Sequence, residues 1–168
     1  MNSKNVGIIG AGAWGTALAQ ALSRGGHKVQ MWALEPEVME VVNNEHENKK
    51  FLPGYPLSET ITCTNDIVEA ASGKDFLIIA SPSIFLKQTI NKIVNVPNIA
   101  DGTTVIGVVT KGFVPSPEGP HLILETVESA LPECYKGKTV YIAGPSHAEE
   151  VALGKITGLI AASEYGKN

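Results

Sequence analysis

Arginine is almost missing: of thirteen basic side chains only Arg24 is an arginine. Forked, bidentate phosphate clamps are mostly arginine work, so that mode of recognition is nearly closed to this chain. Positive charge is not in excess either. Seventeen acids stand against thirteen bases for a net charge of −4, which leaves no footprint for nucleic acid or for an anionic membrane surface. Cysteine is scarce as well. Cys63 and Cys134 lie far apart, without His or Cys companions at metal-ligand spacing. That excludes a disulfide scaffold and the common zinc motifs, and the pair reads as two reduced cytosolic thiols. No apolar stretch approaches the ~20 residues that span a bilayer. Met-Asn-Ser-Lys leads at once into a strand-like run and glycines, so no signal peptide is read and a cytoplasmic location is expected. Internal repeats and low-complexity tracts are absent.

What is present is a chain of 168 residues, 43% hydrophobic and 18% charged, with 17 Gly and 10 Pro. That is enough for one domain with a real core, since a domain of ~150 residues buries about two-thirds of its unfolded surface. Short apolar runs alternate with helical windows. Strands are expected at Val6–Ile9, Val29–Trp32, Ile61–Thr64, Phe76–Ala80, Thr104–Val109, Val140–Ala143 and Thr157–Ala162. Helices are expected at Trp14–Arg24, Pro36–Asn44, Ile67–Ser72, Ser83–Val94, His121–Ala130 and His147–Leu153. Several strands are apolar at every position, as parallel strands covered on both faces are. The alternation therefore predicts an α/β fold, a doubly wound, mostly parallel sheet with helices on both faces. The polar stretch 43–58, ending in Leu-Pro-Gly-Tyr-Pro, and the proline-rich stretch 114–120 read as loops.

Four segments carry chemistry. Gly10-Ala11-Gly12-Ala13-Trp14-Gly15 is a G-x-G-x-x-G between a strand and a helix. Its glycines serve a tight turn, backbone approach to a pyrophosphate, and close helix–strand packing, the fingerprint of a Rossmann-type domain. The N–H groups at the helix start then face the phosphates. Second, Glu35 lies 20 residues after Gly15, where a carboxylate can accept hydrogen bonds from the adenosine ribose, with Leu34 as a wall for adenine. An acid that merely opens the helix at Pro36 is the alternative. Third, Lys111 in Thr-Lys-Gly follows the strand Thr104–Val109 and points at the mouth of the cleft; a plain surface lysine is the alternative. Fourth, Gly144-Pro145-Ser146-His147-Ala148-Glu149-Glu150 opens a helix closed by Gly154. Ser146 and Glu149 have capping-box spacing, and a second anion site at that helix start stays equally open. His147 has no identifiable acid–base partner.

Together these segments resemble NAD(P)-dependent glycerol-3-phosphate dehydrogenase over nearly the whole chain. The resemblance rests on Gly10–Leu18 (G-A-G-A-W-G-T-A-L), Leu52-Pro53, Ser81-Pro82-Ser83, Thr110-Lys111-Gly112 and, most specifically, Gly144–Glu150. It implies reversible hydride transfer between a nicotinamide cofactor and dihydroxyacetone phosphate or sn-glycerol 3-phosphate, supplying the latter for phospholipid synthesis. It assigns Ala13, Trp14, Lys111 and Ala148 to the cofactor, with Phe85 as a neighbour, and Lys111, Gly144 and Ser146 to the substrate. It implies a homodimeric full-length enzyme. Met31–Glu35 looks closer to the NAD-specific eukaryotic members, so NAD(H) is expected to be preferred and NADP(H) possible; only Lys49 and Lys50 stand against that. The family's principal catalytic lysine belongs to a helical C-terminal domain that is absent from this chain. Residues 1–168 are therefore read as the cofactor domain, inactive alone, with Lys111 assisting and no metal. The competing expectations are a ketopantoate- or hydroxyisobutyrate-type dehydrogenase and a non-catalytic NAD(H) sensor.

Overall fold

The computed structural model describes residues 2–117 and 119–164. Its strands are β1 (Asn5–Ile9), β2 (Lys28–Trp32), β3 (Glu47–Asn48), β4 (Leu52–Pro56), β5 (Ile61–Thr64) and β6 (Phe76–Ile79). They continue with β7 (Val105–Val108), β8 (Phe113–Val114), β9 (His121–Leu122), β10 (Val140–Ala143) and β11 (Ile160–Ala162). Helices α1 (Ala13–Arg24), α2 (Pro36–Glu45), α3 (Ile67–Ala71) and α4 (Leu86–Asn91) are followed by α5 (Pro97–Ala100), α6 (Ile123–Ala130) and α7 (Ala148–Ala152).

Seven strands form one sheet in the order β11-β10-β7-β6-β1-β2-β5, parallel except for β11. The chain leaves β1 toward β2 on one side and later returns to β6 on the other. The β1/β6 seam is thus the point where strand order reverses, the place where open α/β sheets bind ligands. This is a Rossmann-type fold.

The apolar runs explain the two layers. Along β1, Val6 and Ile8 pack on one face with Leu18 and Ala19 of α1 and Val38 and Val42 of α2. Ile9 packs on the other with Leu86 and Ile90 of α4 and Ile123 and Val127 of α6. Along β6, Ile78 joins the first cluster while Leu77 and Ile79 join the second. A strand with both faces covered has no position left for a polar side chain. Each buried Val, Leu or Ile side chain among these contributes up to about 1.5–3 kcal/mol of transfer free energy.

The sheet edges are handled differently. At β5, the Asn43 side chain of α2 donates Nδ2–H to the Cys63 carbonyl and accepts the Cys63 N–H, both at 2.8 Å. A side-chain amide thus stands where a further strand would pair. At the other edge β11 is antiparallel and exposed throughout, so the strand expected at Thr157–Ala162 shortens to three residues at the sheet edge. The stretch 43–58 also departs from a plain loop: α2 runs to Glu45, and β3 and β4 form a small antiparallel hairpin. His121–Leu122 pairs with Phe113–Val114, so the helix expected from His121 begins at Ile123. The window Ser83–Val94 divides into a 3-10 turn at Ser83–Phe85 and α4, closed by Lys92 and Ile93 N–H groups bonding three residues back. Glu118 in the proline-rich loop and the end of the chain, 165–168, lie outside the described residues.

Candidate functional site

The G-x-G-x-x-G turn sits at the carboxyl end of β1, on the β1/β6 seam. Gly10 has φ +125°, and an added Cβ would lie 2.8 Å from the Ala80 carbonyl oxygen at the end of β6. Gly15 faces inward, where a Cβ would lie 2.0 Å from the Gly10 carbonyl oxygen. These two glycines are required by the protein itself, one for the left-handed turn and one for the close approach of α1 to the strand. Gly12 is different. Its φ of −69° and ψ of 178° suit any residue, and an added Cβ meets nothing within 4 Å. Gly12 is also the N-cap of α1, with no capping side chain and no acid in the first turn. The missing side chain leaves an open cradle over unpaired N–H groups and the positive end of a twelve-residue helix. This cradle and its donors fit the pyrophosphate of a dinucleotide.

The end of β2 lies beside it, with the Gly10 N–H donating to the Trp32 carbonyl at 3.2 Å. Trp32 Nε1–H donates to the Asn65 carbonyl at 3.0 Å, and Asn65 Nδ2–H to the Ala33 carbonyl at 2.8 Å. These bonds brace the strand end that presents Leu34, 67% exposed, and Glu35. Glu35 is the N-cap of α2, but its side chain makes no capping bond. Its carboxylate instead meets Lys50 Nζ at 3.2 Å, and Lys50 also reaches Glu37 at 3.1 Å. The hydrogen bonds to Glu37 and then Glu35 raise the Lys50 pKa above its usual value. Glu37 is lowered by its own backbone amide and then by Lys50. Lys49 is engaged elsewhere, with Glu45. Arg24 lies near Gly154, at the far end of α1.

The third group comes from the end of β7. Thr110 is buried and donates to the Ser81 carbonyl at 2.9 Å, while its own carbonyl accepts from the Tyr141 hydroxyl at 3.1 Å. The segment is thereby locked between the ends of β6 and β10. Lys111 follows, exposed, with Nζ 5.7 Å from the centroid of the Trp14 ring in the first turn of α1. Residues 97 positions apart in sequence numbering, by 111 − 14, thus meet over the glycine turn. Ala148, the first residue of α7, packs in the same small cluster as Ala13, Trp14 and Ala17. Phe85, 49% exposed, ends the 3-10 turn after β6, on the same rim as the β8–β9 hairpin. Gly144 is needed for contact with the strand region before β11, since a Cβ there would lie 2.5 Å from the Gly158 carbonyl oxygen. The expected capping box does not form. Ser146 Oγ turns back to the Gly144 carbonyl at 3.3 Å, and His147, not Ser146, is the N-cap of α7.

Two other clefts, of about 450 and 290 Å³, open mainly at the amino ends of the strands, lined among others by Asn5, Lys28 and Thr60 and by Lys4, Phe76 and Val105. They are remote from the glycine turn, and the strand order favours the carboxyl ends. Among the described residues no group of His, Cys, Asp or Glu could hold a metal ion, and no helix is long and apolar enough to cross a membrane.

Comparison with known proteins agrees with this geometry. The family described as NAD-dependent glycerol-3-phosphate dehydrogenase N-terminus matches residues 5–168. The chain belongs to that family. It is 43% identical to a glycerol-3-phosphate dehydrogenase (NAD(P)+) of Treponema denticola, covering 98% of this chain and 47% of that protein. A Bacillus velezensis protein of the same name is 40% identical over 96% of this chain and 45% of its own length. Among solved structures, the glycerol-3-phosphate dehydrogenase of Coxiella burnetii superposes with a TM-score of 0.82 at 32% identity, over 96% of this chain and 47% of that one. The chain thus spans about half the length of the curated relatives it matches.

Within this glycerol-3-phosphate dehydrogenase N-terminal unit, two side chains escape a reading of the residues alone. Lys50 is visible in the sequence, but not its hold on Glu35. Asn48, fully buried behind the glycine turn, lies in a polar stretch that carries no periodic signal.

Proposed function

We propose that this chain is the cofactor-binding half of an enzyme that interconverts sn-glycerol 3-phosphate and dihydroxyacetone phosphate, with NAD(H) preferred over NADP(H). The observation that carries the reading is the meeting of the open Gly12 cradle and the Lys111 ammonium at one end of the sheet. When bound, the nicotinamide cofactor supplies or accepts the hydride. The chain's own residues do the rest. The N–H groups at the start of α1 would hold the pyrophosphate, Leu34 would border the adenine, and Glu35 would accept hydrogen bonds from the adenosine ribose. Ala13, Trp14, Phe85 and Ala148 would border the nicotinamide half. Lys111, presented by the locked end of β7, leaves the Trp14 face and donates a hydrogen bond to the substrate oxygen that gains negative charge. Gly144 and Ser146 border the substrate phosphate.

The preference for NAD(H) follows from charge. At the end of β2 two carboxylates share one cation, leaving a net negative cluster where a 2′-phosphate would enter. Juxtaposed like charges cost several kcal/mol in a close interface. The reading is tested in the full-length protein by following NADH oxidation with dihydroxyacetone phosphate. Turnover with that substrate is expected; turnover only with a ketopantoate-type acid, or binding of NADH without turnover of either, overturns it.

A further inference from the structure

Asn48 is fully buried, and both ends of its side-chain amide are committed. Nδ2–H donates to the Ala11 carbonyl and to Thr16 Oγ1, each at 2.8 Å, while Oδ1 accepts the Phe51 N–H at 3.1 Å. Thr16 Oγ1, itself buried, also donates to the Ala11 carbonyl, at 3.4 Å. A side chain of the β3–β4 hairpin therefore grips the second residue of the glycine turn from behind.

The consequence lies in the geometry of one peptide unit. The Ala11–Gly12 peptide is trans, since no peptide bond described is cis. A planar trans unit points its carbonyl and its N–H in opposite directions. With the Ala11 carbonyl held inward by Asn48 and Thr16, the Gly12 N–H is turned away from the interior, toward the open cradle. Released, the unit can rotate and present an oxygen, the negative end of its dipole, to an incoming anion. We propose that Asn48 is a positioning residue that sets the anion-binding orientation of the Ala11–Gly12 peptide. The proposal rests on the reading of the glycine turn as a pyrophosphate site.

The test uses the 168-residue chain with Asn48→Asp and Asn48→Ala. The dissociation constant for NADH is measured by calorimetry well below the melting temperature of each variant, so that every sample is folded. The Gly12 amide resonance is followed in parallel through the titration. Loss of the clamp should weaken NADH about ten-fold, the worth of one to two hydrogen bonds, and should abolish the NADH-induced shift of the Gly12 amide. A purely structural Asn48 would lower the melting temperature but leave the folded protein's affinity and that shift unchanged, and this result overturns the proposal. Should both variants fail to fold, Thr16→Val removes one brace of the same carbonyl. It is then expected to weaken NADH about three-fold, and unchanged affinity is again the contrary result. If the wild-type chain binds NADH and the variants bind it equally, only this proposal falls. If the wild-type chain does not bind NADH, the functional reading falls with it.

Discussion

If the proposed preference for NADH rests on Glu35, replacing Glu35 by serine should give a chain that accepts both cofactors. Two unit charges ~4 Å apart repel by about 1 kcal/mol in bulk water and about 4 kcal/mol at an effective dielectric of 20. The Glu35 side chain is 31% exposed and shares Lys50 with Glu37, so water and a counter-ion both damp its repulsion of a 2′-phosphate. A penalty of about 2 kcal/mol is reasonable, roughly a thirty-fold preference for NADH. Glu35→Ser removes that penalty and frees one side of Lys50, whose ammonium can then turn to the phosphate. Calorimetric titration of NADH and NADPH into both proteins should show the gap closing to within a few-fold, chiefly through tighter NADPH binding. Lys50→Met should widen the gap, and added salt should narrow it in the wild type. Wild-type protein that binds NADPH as tightly as NADH would refute the reasoning.

In the full-length enzyme, Lys111→Met keeps the aliphatic stem and removes the charge. A charge-assisted bond strongest in the transition state is worth ~1.5–3 kcal/mol, so kcat/KM should fall about 10- to 100-fold with NADH affinity nearly unchanged; unchanged kcat/KM would make Lys111 an ordinary surface lysine. The 168 residues alone, about half the length of their relatives, should bind NADH yet give no sustained oxidation with dihydroxyacetone phosphate, because orienting the reacting carbon supplies ~7–11 kcal/mol of such a barrier. Steady turnover by the pure 168-residue chain would contradict that. Burial pushes the Cys63 thiol up to about 11 from 9.0. The unfolded chain then loses this proton near pH 9 while the folded one keeps it, so the thiol's contribution is intact below pH 9 and declines between pH 9 and 11, by about 3 kcal/mol. Urea unfolding at pH 8 and pH 10.5 should show that decline, and Cys63→Ala should flatten it; equal slopes would count against the buried thiol.

The sheet was legible because its signals are redundant. Val6–Ile9 and Phe76–Ile79 are apolar at every position, as strands covered on both faces are, and the G-x-G-x-x-G between Ile9 and α1 orders the first crossover. The positions of Glu35 and Lys111 beyond the ends of β2 and β7 were legible for the same reason, since each follows a strand already recognised. The misreadings fall where local chemistry offers two outcomes of similar energy. Ser146 has capping spacing to Glu149, yet its hydroxyl bonds the Gly144 carbonyl beside it. His121 and Leu122 extend a helical pattern, yet they pair with Phe113 and Val114. Asn48 was invisible because its partners, Ala11 and Thr16, are distant in sequence, and nothing in a polar stretch marks which amide is buried. The meeting of Lys111 with Trp14 likewise depends on sheet order.

On the proposed function, the space left by Gly12 is for a ligand and not for the protein. Gly12→Val tests it most directly, with melting temperature and NADH affinity measured on the same sample and Gly15→Ala as the control. Because a Cβ at Gly12 meets nothing within 4 Å and the backbone suits any residue, Gly12→Val should melt within a few degrees of wild type. Gly15→Ala, whose Cβ would lie 2.0 Å from a carbonyl oxygen, should be strongly destabilised. Folded and stable, Gly12→Val should bind NADH at least about a hundred-fold more weakly, since the β-branched side chain would occupy the path of the pyrophosphate and displace its N–H contacts. A folded Gly12→Val chain with wild-type affinity for NADH would contradict it.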